Sequence, residues 1–329
     1  MTVMHRILGA AATLALTAGV AVADPGLVID LGGKFDKSFN EAAYNGAQRW
    51  AQETGGSYRE IEMQTEAQRE QFVRRMAEAG ANPIVVMGFQ NASTLEQVAP
   101  DYPDTRFVLI DAVADLPNVR SVVFTEHEGS YLVGMLAAMA SETGTVSFVG
   151  GMDIPLIRRF ACGYAQGARA ANPEVTIIQN MTGTTPAAWN DPVRGGEIAK
   201  AQISQGSDVV FAAAGGTGLG VLQAAVDEGV YAIGVDSNQN YLHPGQILTS
   251  MVKRVDNAVY QAFSDGPELE TGVVMMNLAA EGVGYAVDEF NAELLTEDML
   301  AAVNEAATRI MAGELVVHDY MSDDSCPVN

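Results

Sequence analysis

The sequence predicts an α/β protein built on doubly wound parallel sheets, and three observations predict it. Short apolar runs lack the alternation of a half-exposed sheet, so they read as strands buried on both faces. Longer amphipathic stretches separate these runs almost throughout, which is the pattern of βαβ units. At 329 residues the chain is long enough for two domains, each of roughly 150 residues with its own core.

Taken in order, residues 1–23 have the form of a secretory signal peptide. Arg6 precedes an apolar stretch from Ile7 to Val20, and Ala21-Val22-Ala23 gives a small-x-small site with cleavage expected after Ala23. No cysteine stands directly after that site, so a diffusible periplasmic product without a lipid anchor is expected. Leu27–Leu31 reads as the first strand, followed by helices over Ser38–Thr54 and Glu66–Ala79 and strands at Ile84–Met87 and Phe107–Ile110. A helical stretch at Glu128–Ser141 ends before Gly144, and the pattern restarts there. Strands are expected at Val146–Val149, Val175–Ile178, Val209–Ala213 and Ala232–Val235. Helices are expected at Leu156–Ala171, Pro192–Gln205 and Gly218–Glu228. The second sheet is expected to reach about Ser250. The remainder is too short for a third domain and should contribute to both. No low-complexity linker separates the halves, which predicts several chain crossings.

Composition narrows the function. Acidic side chains number 41 against 18 basic ones, for a net charge of −23. Nucleic-acid binding rests on neutralising phosphates with Lys and Arg, so it is excluded as a partner class. The 48% hydrophobic content excludes a disordered acidic chain. Two cysteines, Cys162 and Cys326, leave two readings open: a bridge pinning a polar C-terminal tail, or two free thiols.

In open parallel sheets ligands bind beyond the carboxyl ends of the strands. Three apolar runs end in aspartate, at Asp30, Asp111 and Asp236, which predicts a cleft lined by hydrogen-bond acceptors. The loop Ala212–Gly220 is glycine-rich but matches neither phosphate-binding spacing and carries no cation. Backbone approach to a neutral ligand is the better reading. Catalytic signatures such as G-x-S-x-G and H-E-x-x-H are absent, so no enzyme is expected. Glu126-His127-Glu128 reads as a solvated polar corner rather than a metal site, because consecutive side chains diverge. Phe39 and Trp189 lie at expected strand ends and could sandwich a flat ligand.

The stretch IDLGGKFDKSFNEAAYNGAQRWAQETG (Ile29–Gly55) resembles the opening signature of the basic membrane protein family. These are substrate-binding proteins of ABC importers, similar to purine nucleoside receptor lipoproteins. VLIDAV (Val108–Val113), EGSYLVGMLAAM (Glu128–Met139), AAGGTGLGVLQAA (Ala213–Ala225), AIGVDSNQ (Ala232–Gln239) and LTSMVKRVDNAV (Leu248–Val259) continue the resemblance in order. It implies a type I periplasmic-binding-protein fold, with two doubly wound lobes joined by a multi-strand hinge. The implied N-terminal lobe takes 24–127 plus about 251–279. The C-terminal lobe takes 128–250 plus about 280–320, and 321–329 form a tail.

The resemblance also implies base stacking by Phe39 and Trp189, base contacts from Asp30, Asn40 and Asp111, and ribose contacts from Gly215, Asp236 and Lys253. On its own, Lys253 would read as a solvated basic residue. The implied protein is a periplasmic monomer without cofactor or metal. It binds a nucleoside, purine above others, and hands it to an inner-membrane ABC permease. A sugar-binding protein of the same fold and a periplasmic nucleoside hydrolase are the alternatives. Three departures from the family stand out: the expected lack of the lipid anchor that the family often carries, the Gly32-Gly33-Lys34-Phe35 loop where relatives often have a more polar, acidic one, and Trp189 where a smaller aromatic is usual.

Overall fold

The structure is a computed structural model that describes residues 23–328. The signal-peptide reading falls almost wholly on residues outside that range. The first half runs β1 (Gly26–Ile29), α1 (Phe39–Thr54), β2 (Arg59–Glu62), α2 (Arg69–Glu78), β3 (Ile84–Val86), α3 (Ala92–Val98), β4 (Phe107–Ile110) and β5 (Val119–Phe124). The chain continues through α4 (Glu126–Ala140), β6 (Thr145–Met152), α5 (Pro155–Ala171), β7 (Thr176–Gly183), α6 (Pro192–Ile203), β8 (Val209–Ala213), α7 (Gly218–Asp227), β9 (Tyr231–Asp236) and β10 (Ile247–Lys253). It ends with α8 (Val255–Asp265), β11 (Gly272–Met276), β12 (Val283–Tyr285) and α9 (Glu297–Met311).

Two six-stranded sheets result, in the orders β11-β5-β4-β3-β1-β2 and β12-β10-β9-β8-β6-β7. Every pairing is parallel except β10 with β12. Residues of β1, β3, β4 and β8 are buried throughout, as strands covered by helices on both faces must be. Strand order reverses between β1 and β3 in one sheet and between β6 and β8 in the other. Those are the switch points at which doubly wound sheets leave a ligand crevice.

The expected strands coincide with β1, β3, β4, β6, β7, β8 and β9; the central strands β5 and β10 and the edge strands β2, β11 and β12 were not among them. β2 exposes Arg59 and Glu60, and β11 exposes Val273, Val274 and Met275. β7 runs past Ile178 to Gly183 with Gln179 and Asn180 exposed. An edge strand lacks cover on one side, so it loses the continuous apolar signature that marks a central strand.

The chain passes between the lobes between β5 and α4, between β10 and α8, and between β11 and β12. These segments are stitched together: Thr125 N donates to Met276 O at 3.3 Å, and Arg254 N donates to Gly282 O at 2.8 Å. Beyond the second crossing α8 lies on α1, so closely that a Cβ at Gly46 would run into the Asp256 backbone.

Cys162 and Cys326 form a disulfide, so of the two readings the bridged one holds. The tail is tied to α5 at further points. Arg159 grips Asp319 through two hydrogen bonds, of 2.7 and 2.6 Å, and the Gln166 amide exchanges two bonds of 2.9 Å with the His318 backbone.

Candidate functional site

The eight expected site residues line one cleft between the lobes. β1 delivers Asp30, the start of α1 delivers Phe39 and Asn40, and β4 delivers Asp111. From the other lobe come Trp189, Gly215 after β8, Asp236 at the end of β9 and Lys253 at the end of β10.

Local sequence explains how Trp189 is seated. It closes a single 3-10 turn, Pro186–Trp189, before Pro192 starts α6. Thr217 Oγ1 accepts from Asp191 N at 2.7 Å and donates to Ala188 O at 2.8 Å, fixing the segment on both sides of the indole. Gly151 supplies the floor, since a Cβ there would collide with the indole ring.

Asp111 and Asp236 both have left-handed backbones, with φ of 75° and 62°. Aspartate tolerates this region better than most side chains, but it is uncommon and clusters at functional positions. The lobes are closed on one another at one rim. Ser38 Oγ donates to Asp236, Ser237 Oγ to Ser38 O at 3.1 Å, and Gln239 Nε2 to Lys37 O at 2.9 Å.

Lys253 is not solvated: it is 2% exposed, with Nζ 2.7 Å from Asp111 and 2.9 Å from Glu126. The ammonium also lies over the rings of Phe39, Phe124 and Phe160, at 5.2, 4.9 and 5.6 Å from their centroids. Burial opposes its charge, but the surrounding carboxylates outweigh that and raise its pKa above the usual lysine value. Glu126-His127-Glu128 is likewise no polar corner. Glu126 is fully buried and held by Lys253 and by Arg159 at 3.0 Å. Burial resists its ionisation, yet these two cations hold its carboxyl below the ordinary range. Glu128 accepts from Leu278 N at 2.8 Å, bracing the third crossing.

Three further buried groups shape the cleft: Asp36 and Arg69, which the sequence reading did not single out, and Glu126, which it placed in a solvated corner. Asp36 lines it and accepts backbone N–H bonds of 2.8, 3.0 and 3.0 Å from Ser38, Asn40 and Glu41. Burial pushes its carboxyl up to about 7, against the pull of those N–H groups. Its position two residues before Ser38, at a helix start, was the available signal. Arg69 donates to Asp30 at 2.7 Å, and Glu126 anchors Lys253 as described. Burial raises the pKa of Asp30, with Arg69 pulling it back, and burial likewise raises that of Asp236.

Two buried acceptors in the lining, Asn40 Oδ1 and Asp111 Oδ1, take no hydrogen bond from the protein. Buried polar atoms are nearly always paired, so these call for donors from a ligand. Aromatic faces, several carboxylates and a cation already engaged by two of them suit a flat, neutral, donor-bearing molecule. A phosphate would face net negative charge. Among the described residues no group of His, Cys, Asp and Glu is arranged to hold a metal ion.

Burial pushes Asp111 up to about 6. A carboxyl with a raised folded pKa binds its proton more tightly when folded, so its charged form costs stability above about pH 6 and protonation relieves that cost below. A ligand donor facing the carboxylate has the opposite preference. Ligand affinity should therefore fall about tenfold for each pH unit below about 6, as titration calorimetry between pH 5 and 8 would read. A flat profile would remove Asp111 from the binding groups.

Residues 25–317 match the family described as ABC transporter substrate-binding protein, PnrA-like. The chain is 31% identical over 323 residues to a CD4+ T-cell-stimulating antigen of Listeria monocytogenes, covering 88% of this chain and 87% of the relative. It is 30% identical over 316 residues to the ABC transporter nucleoside-binding protein BmpA of Lactococcus lactis, covering 88% of each. A solved ABC transporter solute-binding protein from Aeropyrum pernix superimposes with a TM-score of 0.81 at 29% identity, over 92% of this chain and 95% of that one. The architecture is thus the type I periplasmic-binding-protein fold that the resemblance implied.

Proposed function

This chain belongs to the PnrA-like family of ABC transporter substrate-binding proteins, and from that premise we propose that it captures a nucleoside, a purine one above others, between its lobes. The family is one of binding proteins serving a permease rather than of enzymes. In this reading the protein works as a periplasmic monomer that delivers its ligand to an inner-membrane ABC permease. The observation that carries the reading is the convergence of Phe39, Trp189 and the strand-end aspartates on one closed cleft. The rings take the base by stacking, worth roughly 1–3 kcal/mol per base on aromatic platforms. Asp30, Asn40 and Asp111 take its polar edge, while Gly215, Asp236 and Lys253 face the ribose.

The test is titration calorimetry with purine and pyrimidine nucleosides, free ribose and hexoses, and a nucleoside monophosphate. Purine nucleosides should bind, with the monophosphate and free sugars much weaker. Hexose binding with no nucleoside binding would sink the reading in favour of sugar transport. Asp236→Ala should weaken nucleoside binding by about 10- to 100-fold, since hydrogen bonds to a charged group are worth roughly 1.5–3 kcal/mol. Unchanged affinity would remove its ribose role.

A further inference from the structure

We propose that the end of the cleft formed by Asp30 and Asn40 reads hydrogen-bond donors only, and that Arg69 is the positioning residue that makes it so. The cleft then selects guanine-type bases, which carry N1–H beside a 2-amino group, over adenine. This deepens the nucleoside reading and rests on it.

The base edge meets these residues because they adjoin the rings. Phe39 directly precedes Asn40, and Gly32, two residues beyond Asp30, lies against Trp189, whose Cβ would be 3.7 Å from a Cβ placed at Gly32. The Asn40 amide has one orientation available. Its Nδ2 faces three carbonyls, those of Asp30, Leu31 and Gly33, at 3.2, 3.3 and 3.2 Å, which leaves Oδ1 as the buried atom without a partner. Asn40 therefore offers the ligand an acceptor.

Asp30 offers a second one. Its Oδ1 is occupied by Arg69 at 2.7 Å and by Leu31 N at 2.8 Å. Its Oδ2 lies against Gly88, a lining residue with φ of 92°, where any side chain would strike the carboxylate. Arg69 is itself 8% exposed and pinned from behind by Gln90 at 2.5 Å. A guanidinium held in that fork favours the ionised carboxylate, which only accepts. The other charge acting on Asp30 is Glu66, in the turn before α2, and it opposes Arg69.

Against two acceptors, guanine presents two adjacent N–H donors and hypoxanthine presents one. In the pose that turns N1 and C2 toward these residues, adenine sets its N1 lone pair and a C2–H against the two oxygens, and its 6-amino donors point elsewhere. A buried acceptor facing an acceptor forfeits a hydrogen bond and its desolvation, about 1–3 kcal/mol.

Calorimetric titration of the purified full-length protein with guanosine, inosine and adenosine tests this. Guanosine should bind at least about tenfold tighter than adenosine, with inosine between them. Adenosine binding as tightly as guanosine would overturn the inference and leave the nucleoside reading intact. Failure of all three to bind would overturn both. Arg69→Gln tests the positioning role separately. Without the cation Asp30 keeps its proton to higher pH, so the acid limb of guanosine affinity should move upward and the guanosine-to-adenosine ratio should shrink. Arg69→Lys should restore both in part. An Arg69→Gln protein with the wild-type pH profile and ratio would show that Arg69 is merely structural.

Discussion

Lys253→Met is expected to cost about 3–5 kcal/mol of folding stability at neutral pH and to abolish ligand binding. The ammonium is buried between Asp111 and Glu126, and it was drawn there by two charges rather than by packing. Methionine fills similar space and keeps contact with the neighbouring rings, so the loss is electrostatic. Glu126 retains Arg159 at 3.0 Å, but Asp111 keeps no cation partner and takes a proton instead. Because that proton is easily supplied in acid, the gap between variant and wild type should narrow from pH 8 to pH 5. Urea denaturation at both pH values measures it. A gap of equal size at both would mean that the loss comes from packing.

Cys162→Ser with Cys326→Ser is the second large effect. The bridge closes a loop spanning 164 positions, and constraint of the unfolded chain on that scale is worth about 5 kcal/mol in the chain-entropy account, with measured values of about 2–5 kcal/mol. The full effect requires the tail to unfold with the rest. It should, because Val317 is part of the main core and Leu315 packs against it. Denaturation with and without reductant reads the difference. A loss below about 1 kcal/mol would mean that the tail detaches on its own, its remaining ties to Arg159 and Gln166 being too weak to couple it.

Much of this cleft was legible because burial and polarity change abruptly at the ends of central strands. Asp30, Asp111 and Asp236 each follow an uninterrupted apolar run, and the fold brings all three to one crevice. What was illegible depends on tertiary partners. Arg69 and Arg74 sit in the same helical stretch, yet one is buried on a carboxylate and the other pairs at the surface with Glu70 and Asp101. Nothing in their spacing separates them. Glu126 and Lys253 stand far apart in sequence and look solvated singly; only the chain crossings unite them in a dry site. The edge strands β2, β11 and β12 escaped for the related reason that half their surroundings are water.

The contacts that join Lys37 and Ser38 to Asp236, Ser237 and Gln239 are made by the protein with itself. The two bonds to backbone carbonyls are worth about 0.5–1.5 kcal/mol net each and the Ser38 bond to the Asp236 carboxylate about 1.5–3 kcal/mol, so together they offset part of what closure costs before any ligand arrives. A binding partner for the closed shape then meets a receptor already partly populated in that state. The ligand has less of the equilibrium to move, and its apparent affinity sits nearer its intrinsic one. Opening of the cleft at this rim requires those same bonds to break. A permease that pries at this rim would discharge the receptor without touching the ligand.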